Sequence, residues 1–265
     1  MVDLALGCAL YFDTDLSADP TALFALWERL APASSSQMTQ WTTSERSQQV
    51  EKPAALDIDT LRHRITAGET ASAAIETAPK TPDRECVLVL AQTTPAARLR
   101  EGTPPRHWRY SLVVAMGAGP LSRIGRRVAV DAIVEVADRV AVKAGVIHWA
   151  QTTSFASGLA MGAAGAGLSA DEEARITHSL YWRSHWGRIV RGPSWGTFLG
   201  KSHVAQLDNL AALGARCARA VMLESGGAYL QLTNVDEPVD VAASDQRLTH
   251  LRQALGALAP DPASV

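Results

Sequence analysis

Residues 108–151 read WRYSLVVAMGAGPLSRIGRRVAVDAIVEVADRVAVKAGVIHWAQ, and their reading decides the fold. Trp108 to Met116 is dense in apolar and β-branched residues, as a strand should be, and Gly117 to Pro120 closes it. Arg123 to Lys143 then places Ile124, Val128, Val130, Ile133, Val134, Val136, Val140 and Val142 along one run. β-Branched residues favour strands, but the length of this run argues for a helix, with Gly145 as its C-terminal stop. Val146 to Gln151 reads as a further strand.

Working outward, Val2 to Phe12 (VDLALGCALYF) is an apolar run ending at the turn-rich DTDLSADP, the pattern of a buried strand. Pro20 stands at a first helical position behind Asp19, and Leu23, Phe24, Leu26, Trp27 and Leu30 recur at helical spacing. Residues 31–53 are rich in Ser, Thr and Gln around Trp41 and suit a polar strand or a long loop. Leu56 to Ala67 reads as a short helix, Thr70 to Thr77 as an edge strand and Cys86 to Ala91 as a central one. Pro95, Gly102, Pro104 and Pro105 mark a loop before Trp108.

Residues 152–168 (TTSFASGLAMGAAGAGL) are small and glycine-rich, which predicts a surface loop. Ser169 with Glu172 and Glu173 forms a helix start of capping-box type, leading into Tyr181 and Trp182. Ser202 can cap a helix through Leu213, and Ala218–Leu223 with Tyr229–Thr233 reads as a hairpin across Ser225, Gly226 and Gly227. A last helix covers Ala243 to Leu258, and Ala259–Val265 reads as a frayed tail. Strands and helices mix without regular βαβ alternation. The expectation is therefore an α+β fold, a mixed and mainly antiparallel sheet flanked by helices, in one compact domain over residues 1–258.

Composition limits the function classes. The chain has 265 residues, 47% hydrophobic and 20% charged, with 19 Gly and 13 Pro, which excludes disordered and collagen-like classes. A formal charge of -2 and a pI of about 6.4 lack the basic footprint of a DNA-binding domain, so nucleic acid is not expected as a direct ligand. Cys8, Cys86 and Cys217 are odd in number, far apart and set in apolar stretches, and read as buried free thiols in a reducing compartment. Met1 to Phe12 carries Asp3 and no positive n-region, so export is not expected, and apolar runs such as Ala160–Ala166 fall short of the ~20 residues of a membrane span.

Several short motifs invite chemistry. Gly192-Pro193-Ser194-Trp195-Gly196 satisfies the G-x-S-x-G pattern of a nucleophile elbow, which needs a strand before the serine, a helix after it, and an acid and a histidine later in the chain. Ile189 and Val190 make a poor strand, Gly200 breaks any helix after Leu199, and only His203 and His250 follow. Gly200-Lys201-Ser202 has the ending of a phosphate loop, but Trp195 stands where the pattern requires its first Gly. Gly162, Gly165 and Gly167 do not match a dinucleotide fingerprint. His148, His178, His185 and His203 lack the close spacing and the neighbouring Cys of a zinc site. No cofactor or metal is expected.

Arg175–Phe198 (RITHSLYWRSHWGRIVRGPSWGTF) is the most distinctive segment, with Tyr181, Trp182, Trp186 and Trp195 set among Arg175, Arg183, Arg188 and Arg191, and no Asp or Glu from Ala174 to Gln206. An aromatic core face with solvated arginines fits this pattern. So does an interaction surface, because Trp, Tyr and Arg dominate binding hot spots and Arg captures carboxylates in bidentate fashion. Arg183, Trp186, Arg188, Arg191 and Trp195 are the candidate partner-binding residues.

Taken together, LGCALYFDTDL (residues 6–16), KAGVIHWA (143–150) and RGPSWGTFLGKSHVAQLDNL (191–210) resemble the immunity family of type VI secretion systems that accompanies VRR-NUC nuclease effectors, formerly a domain of unknown function. The resemblance spans residues 4–258 and is most specific at Gly192–Leu207. It departs at Asp208-Asn209, where relatives tend to carry a Gly pair. It implies a protein that is not an enzyme and that binds a cognate toxin effector, a nuclease, in the cytoplasm and blocks its active site. On that reading the arginines meet the metal-binding carboxylates of the toxin, with Trp186 or Trp195 as an apolar anchor. Alternatively Asp236, Glu237 and Asp240 mimic DNA phosphates. A hydrolase using Ser194 and a non-catalytic scaffold are the rival classes.

Overall fold

The computed structural model describes residues 4–30, 38–44, 54–55, 58–77, 82–93, 110–161, 170, 190, 193–237 and 241–259. Among the described residues ten strands form one sheet: β1 Ala5–Phe12, β2 Met38–Ser44, β3 Ala54–Ala55, β4 Thr70–Thr77, β5 Val87–Gln92, β6 Tyr110–Met116, β7 Ala144–Ala150, β8 Gly196–Leu199, β9 Arg219–Met222 and β10 Ala228–Gln231. Their spatial order is β3-β2-β4-β5-β6-β1-β7-β8-β10-β9, and every recorded pairing is antiparallel. The helices are α1 Thr21–Leu30, α2 Ile58–Thr66, α3 Ala118–Ile124, α4 Arg126–Arg139, α5 Thr153–Met161, α6 Lys201–Val204, α7 Leu210–Gly214 and α8 Val241–Leu255, the last continued by a 3-10 turn to Leu258. The architecture is α+β. None of the described helices is long and apolar enough to cross a membrane.

β1 lies between β6 and β7, and all eight of its residues are buried. Leu6, Cys8, Leu10 and Phe12 point to one face and join the main core with Leu23, Phe24, Leu26, Trp27 and Leu30 of α1 and Ala129, Val130, Ile133 and Ala137 of α4. Ala5, Ala9 and Tyr11 point to the other face, where Phe155, Ala156, Leu159 and Ala160 of α5 cover them. The glycine-rich stretch after Gln151 is thus no surface loop along Thr153–Met161, and residues 162–168 lie outside the described set. Small side chains serve close packing here: a Cβ on Gly7 would stand 2.0 Å from the Ala156 carbonyl oxygen, so only glycine lets α5 lie across β1. The Asp83 carboxylate caps this helix, accepting the Thr153 N–H at 2.9 Å from 70 residues away.

The stretch 123–143 also differs from the single helix its periodicity suggests. The helical path starts earlier, at Ala118, and breaks at Gly125, whose φ of 89° few side chains tolerate. α4 ends at Arg139, and its turn closes through Ala141 at φ 49°, with the Val142 N–H reaching the Ala137 carbonyl at 2.9 Å. Gly145 is no helix stop but a residue of β7, paired with Leu10. Burial of Val130, Ile133, Val134 and Val136 outweighs their weak helix propensity.

Thr70–Thr77 is interior, because the polar stretch before it supplies β2 and covers its outer edge. The helix expected from Ser202 to Leu213 is two short ones. His203 Nδ1 accepts the Gly200 N–H at 3.2 Å, and Asn209 Oδ1 starts the second helix by accepting the Ala212 N–H at 3.0 Å. The hairpin is β9–β10, and α4 holds its turn: the Asp138 carboxylate accepts the Glu224 and Ser225 N–H groups at 3.0 and 2.8 Å. At the C-terminus, Ala259 is still buried and belongs to the core.

Gly7→Ala should cost about 2–3 kcal/mol, since a methyl forced into the α5 backbone must displace it. Urea unfolding measures this loss, and a change below about 0.5 kcal/mol would mean that α5 does not press on β1.

Candidate interaction site at the Trp149–Trp195 corner

The chain approaches β8 through Val190 and 193–195, which follow the arginine- and tryptophan-rich segment in sequence. Val190 is buried and donates its N–H to the Leu258 carbonyl at 2.6 Å, which pins the exit of that segment beneath the last helix. Pro193, Ser194 and Trp195 are buried in turn. Residues 171–189, 191 and 192 lie outside the described set, and with them Arg183, Trp186, Arg188 and Arg191, and also His178, His185 and Asp240.

Ser194 is 1% exposed. Its hydroxyl lies 2.6 Å from the Gly196 carbonyl and 3.1 Å from the Ile147 carbonyl, so main-chain acceptors take up its one hydrogen. Its N–H donates to Thr197 Oγ1 at 3.0 Å, and the Thr197 hydroxyl returns a bond to the Ser194 carbonyl. The result is a closed turn that starts β8 and ties it to β7. An elbow would put its strand before the serine, whereas here the strand follows. His203 sits beyond the far end of β8, and four strand residues put ~13 Å between the two ends. Ser194–Thr197 is thus a structural turn, and the motif around Ser194 coincides with a catalytic pattern.

Trp195 is also a core residue, only 6% exposed. Its indole N–H donates to Thr233 Oγ1 at 2.8 Å, and its ring meets Trp149 edge-on with centroids 5.3 Å apart. It therefore anchors the neighbouring segment instead of offering a free contact face. A chain of polar contacts holds Thr233 in place: the Tyr229 hydroxyl donates to Gln231 Oε1 at 3.3 Å, and Gln231 Nε2 donates to the Thr233 carbonyl at 2.7 Å. Tyr229 is wholly buried, and that burial pushes its phenol well above the ordinary tyrosine value although the Arg219 guanidinium 5.8 Å from its ring opposes the shift.

The outer wall of this corner is made by residues that the search for motifs passes over. Trp149 is half-buried at the end of β7, with the Arg126 guanidinium 5.5 Å from its ring centroid. Arg126 and Arg127 open α4 directly after Gly125, and Arg127 Nη2 bonds Asp236 Oδ2 at 2.9 Å in full solvent. Val128, 43% exposed, adds an apolar spot beside them. Asp236 is thus paired within the chain, and Asn234 Nδ2 donates to Glu237 Oε1 at 2.6 Å, so the acidic pair is tied back to its own surface. The signal for Trp149 was present in KAGVIHWA: the strand ends on a large ring next to a polar turn.

The remaining groups do other work. Cys8 is buried, whereas Cys86 and Cys217 are half-buried, and burial raises both of those thiols above their usual value. His148 lies opposite Gly7 in the β1–β7 ladder. Among the described residues no three His, Cys, Asp or Glu side chains come together as a metal site. The outward part of this corner is thus one half-buried indole, Trp149, with the Arg126 guanidinium over it, backed by the core ring of Trp195.

No protein-family model matches the chain, and no curated protein matches it. Among solved structures, the fold is similar to that of the Pseudomonas aeruginosa T6SS protein PA0821, with a TM-score of 0.60 at 14% sequence identity, covering 95% of this chain and 76% of that one. At that identity the likeness is one of fold.

Two stability measurements test the corner. Ser194→Ala should cost about 1 kcal/mol and Trp195→Ala about 3–5 kcal/mol in urea unfolding, the signature of a turn and a core ring. A fully stable Trp195→Ala chain would place the ring outside the core. In alkali, the neutral Tyr229 phenol is favoured by the folded state, so its contribution is complete below the ordinary tyrosine pKa of about 10 and declines as pH rises above it. Tyr229→Phe should flatten that decline, and an unchanged alkaline slope would show that another group controls it.

Proposed function

We propose that this chain is an immunity protein of a type VI secretion system, which binds a cognate toxin effector in the cytoplasm and neutralises it without catalysis of its own. The observation that carries the reading is the likeness in fold, over 95% of the chain, to a type VI secretion protein of Pseudomonas aeruginosa. The resemblance of residues 6–16, 143–150 and 191–210 to the immunity family that accompanies VRR-NUC nucleases supports it and names the effector class. The partner is then a nuclease that holds its metal with clustered carboxylates.

The mechanism follows from residue chemistry. A carboxylate cluster is best met by guanidinium groups, which present paired donors and keep their charge at any physiological pH. Arg183, Arg188 and Arg191 supply them, and Trp186 supplies apolar area between them. Val190, Ser194 and Trp195 hold the end of this segment against the sheet, which lowers the ordering cost of binding. Arg126 on Trp149 extends the same chemistry beside the anchor point. Trp195 therefore acts by positioning, while Trp186 is the contact ring. Acidic mimicry of DNA is the weaker version, because Asp236 is already paired with Arg127.

Purification with the product of the adjacent effector gene, followed by calorimetry and growth rescue on co-expression, tests the proposal. Tight 1:1 binding in the nM range, about -12 kcal/mol, with rescued growth is the expected result. A combined Arg183→Ala, Arg188→Ala and Arg191→Ala variant that stays folded should bind at least 100-fold more weakly. Unchanged affinity would overturn the arginine mechanism, and absence of both binding and toxicity would overturn the immunity function.

A further inference from the structure

β9 ends the sheet, and among the described residues its one strand neighbour is β10. The Leu223 N–H donates to the Gly227 carbonyl at 2.9 Å, so the antiparallel alternation makes Val221 and Arg219 the next residues to exchange hydrogen bonds with β10. The N–H and C=O groups of Ala220 and Met222 consequently point away from the sheet. Their side chains share one face, on which Met222 is 53% exposed. Beside them a groove of about 450 Å³ runs between β9 and α7, walled by Leu210, Gly214, Cys217 and Leu230. A short edge whose outward backbone groups meet no partner among the described residues, with a protruding thioether and an adjoining apolar groove, is a template for another strand.

We infer that this edge pairs antiparallel with β9 of a second copy of the chain, joining two sheets into one across a two-fold axis through Val221. The occupant is chosen by self-complementarity. With Val221 opposite Val221 of the second copy, Ala220 of each chain faces Met222 of the other, and the outward N–H and C=O groups of both residues close into four hydrogen bonds. In that register each Met222 lies over the Ala220 end of the opposite strand, which borders the groove, so each copy supplies one thioether and one groove to receive it. Charge agrees with the antiparallel direction. Exposed Arg216 precedes the strand and exposed Glu224 follows it, so pairing sets Glu224 of one copy opposite Ala218 and diagonal to Arg216 of the other. A parallel arrangement would instead set like charges together.

Analytical ultracentrifugation of the full chain over a concentration series tests this, with a species at twice the 28.2 kDa chain mass expected. Ala220→Pro removes an outward donor that β10 does not use, and Met222→Lys puts a charge at the groove. Either variant should keep the wild-type melting temperature and weaken dimerisation at least tenfold. Val221→Cys should cross-link under mild oxidation, because directly opposed residues of a non-hydrogen-bonded pair lie ~4.5 Å apart, within disulfide reach. The wild-type chain, with Cys86 and Cys217, controls for unspecific linkage. A wild-type chain that stays monomeric to about 100 μM, or a dimer indifferent to both edge variants, would overturn the inference. So would a dimer in which Val221→Cys fails to cross-link. Because these readings need no effector, they stand apart from the outcome of the toxin-binding test.

Discussion

The backbone of β1 has neither an edge nor a face in contact with water, so each of its polar groups must be met inside the protein. β6 and β7 meet them on the two edges, α1 and α4 cover one face, and α5 covers the other. This constraint dictates much of what surrounds it. A helix can approach the second face only where the strand has no side chain, which makes Gly7 the seat of α5, and only if the helix itself is small, which accounts for Ala156 and Ala160. The cap from Asp83 then ties that helix to the turn before β5, so the two halves of the sheet are linked through α5 as well as through the ladder.

The far end of the sheet depends on α4. Asp131 pairs with Arg219 of β9, and Asp138 accepts both N–H groups of the β9–β10 turn. The first is a partly exposed ion pair and contributes little, whereas the second satisfies two main-chain donors with one charged acceptor. The orientation of β9, and with it the edge that Ala220 and Met222 present away from β10, is therefore fixed in part by a helix that packs on the other face of the hairpin. Mutations in α4 at Asp138 reach that edge without touching it.

Where one periodicity dominated, the fold was legible. β1, β6, β7, α1 and the hairpin each bury a continuous apolar pattern, and each stands within a few residues of its expected place. Thr153–Met161 was not legible, because Gly and Ala are ambiguous: the same residues that loosen a loop allow a helix to touch a backbone. Gly125 stood at the start of an apolar pattern, between Ile124 and Val128, that reads as unbroken, and β2 behind a polar composition that carries no burial signal. The serine motif shows the opposite ambiguity. Its five residues match a catalytic pattern because a strand-starting turn and a nucleophile elbow both want small, hydroxyl-bearing positions, and only the placement of β8 after Ser194 separates them. Trp195 was read as a contact since rings beside arginines often are, yet the partner that decides its role, Thr233, lies 38 residues away in sequence.

Burial of Trp195 and Ser194 is compatible with the proposal that the segment before them binds an effector. A recognition segment that must order itself on docking loses affinity to that ordering, and one tied down at its end loses less. Val190, Ser194 and Trp195 spend their hydrogen bonds and apolar area inside the protein, Val190 on the Leu258 carbonyl and the other two on the sheet and its flanking turns. The sheet in turn stays rigid at that point because β8 is locked to β7 by the Ile147 carbonyl and to β10 by Phe198 against Tyr229, whose rings are 4.8 Å apart. On the proposed reading, substitutions at Val190, Ser194 and Trp195 are therefore read through stability, and those at Arg183, Arg188 and Arg191 through affinity.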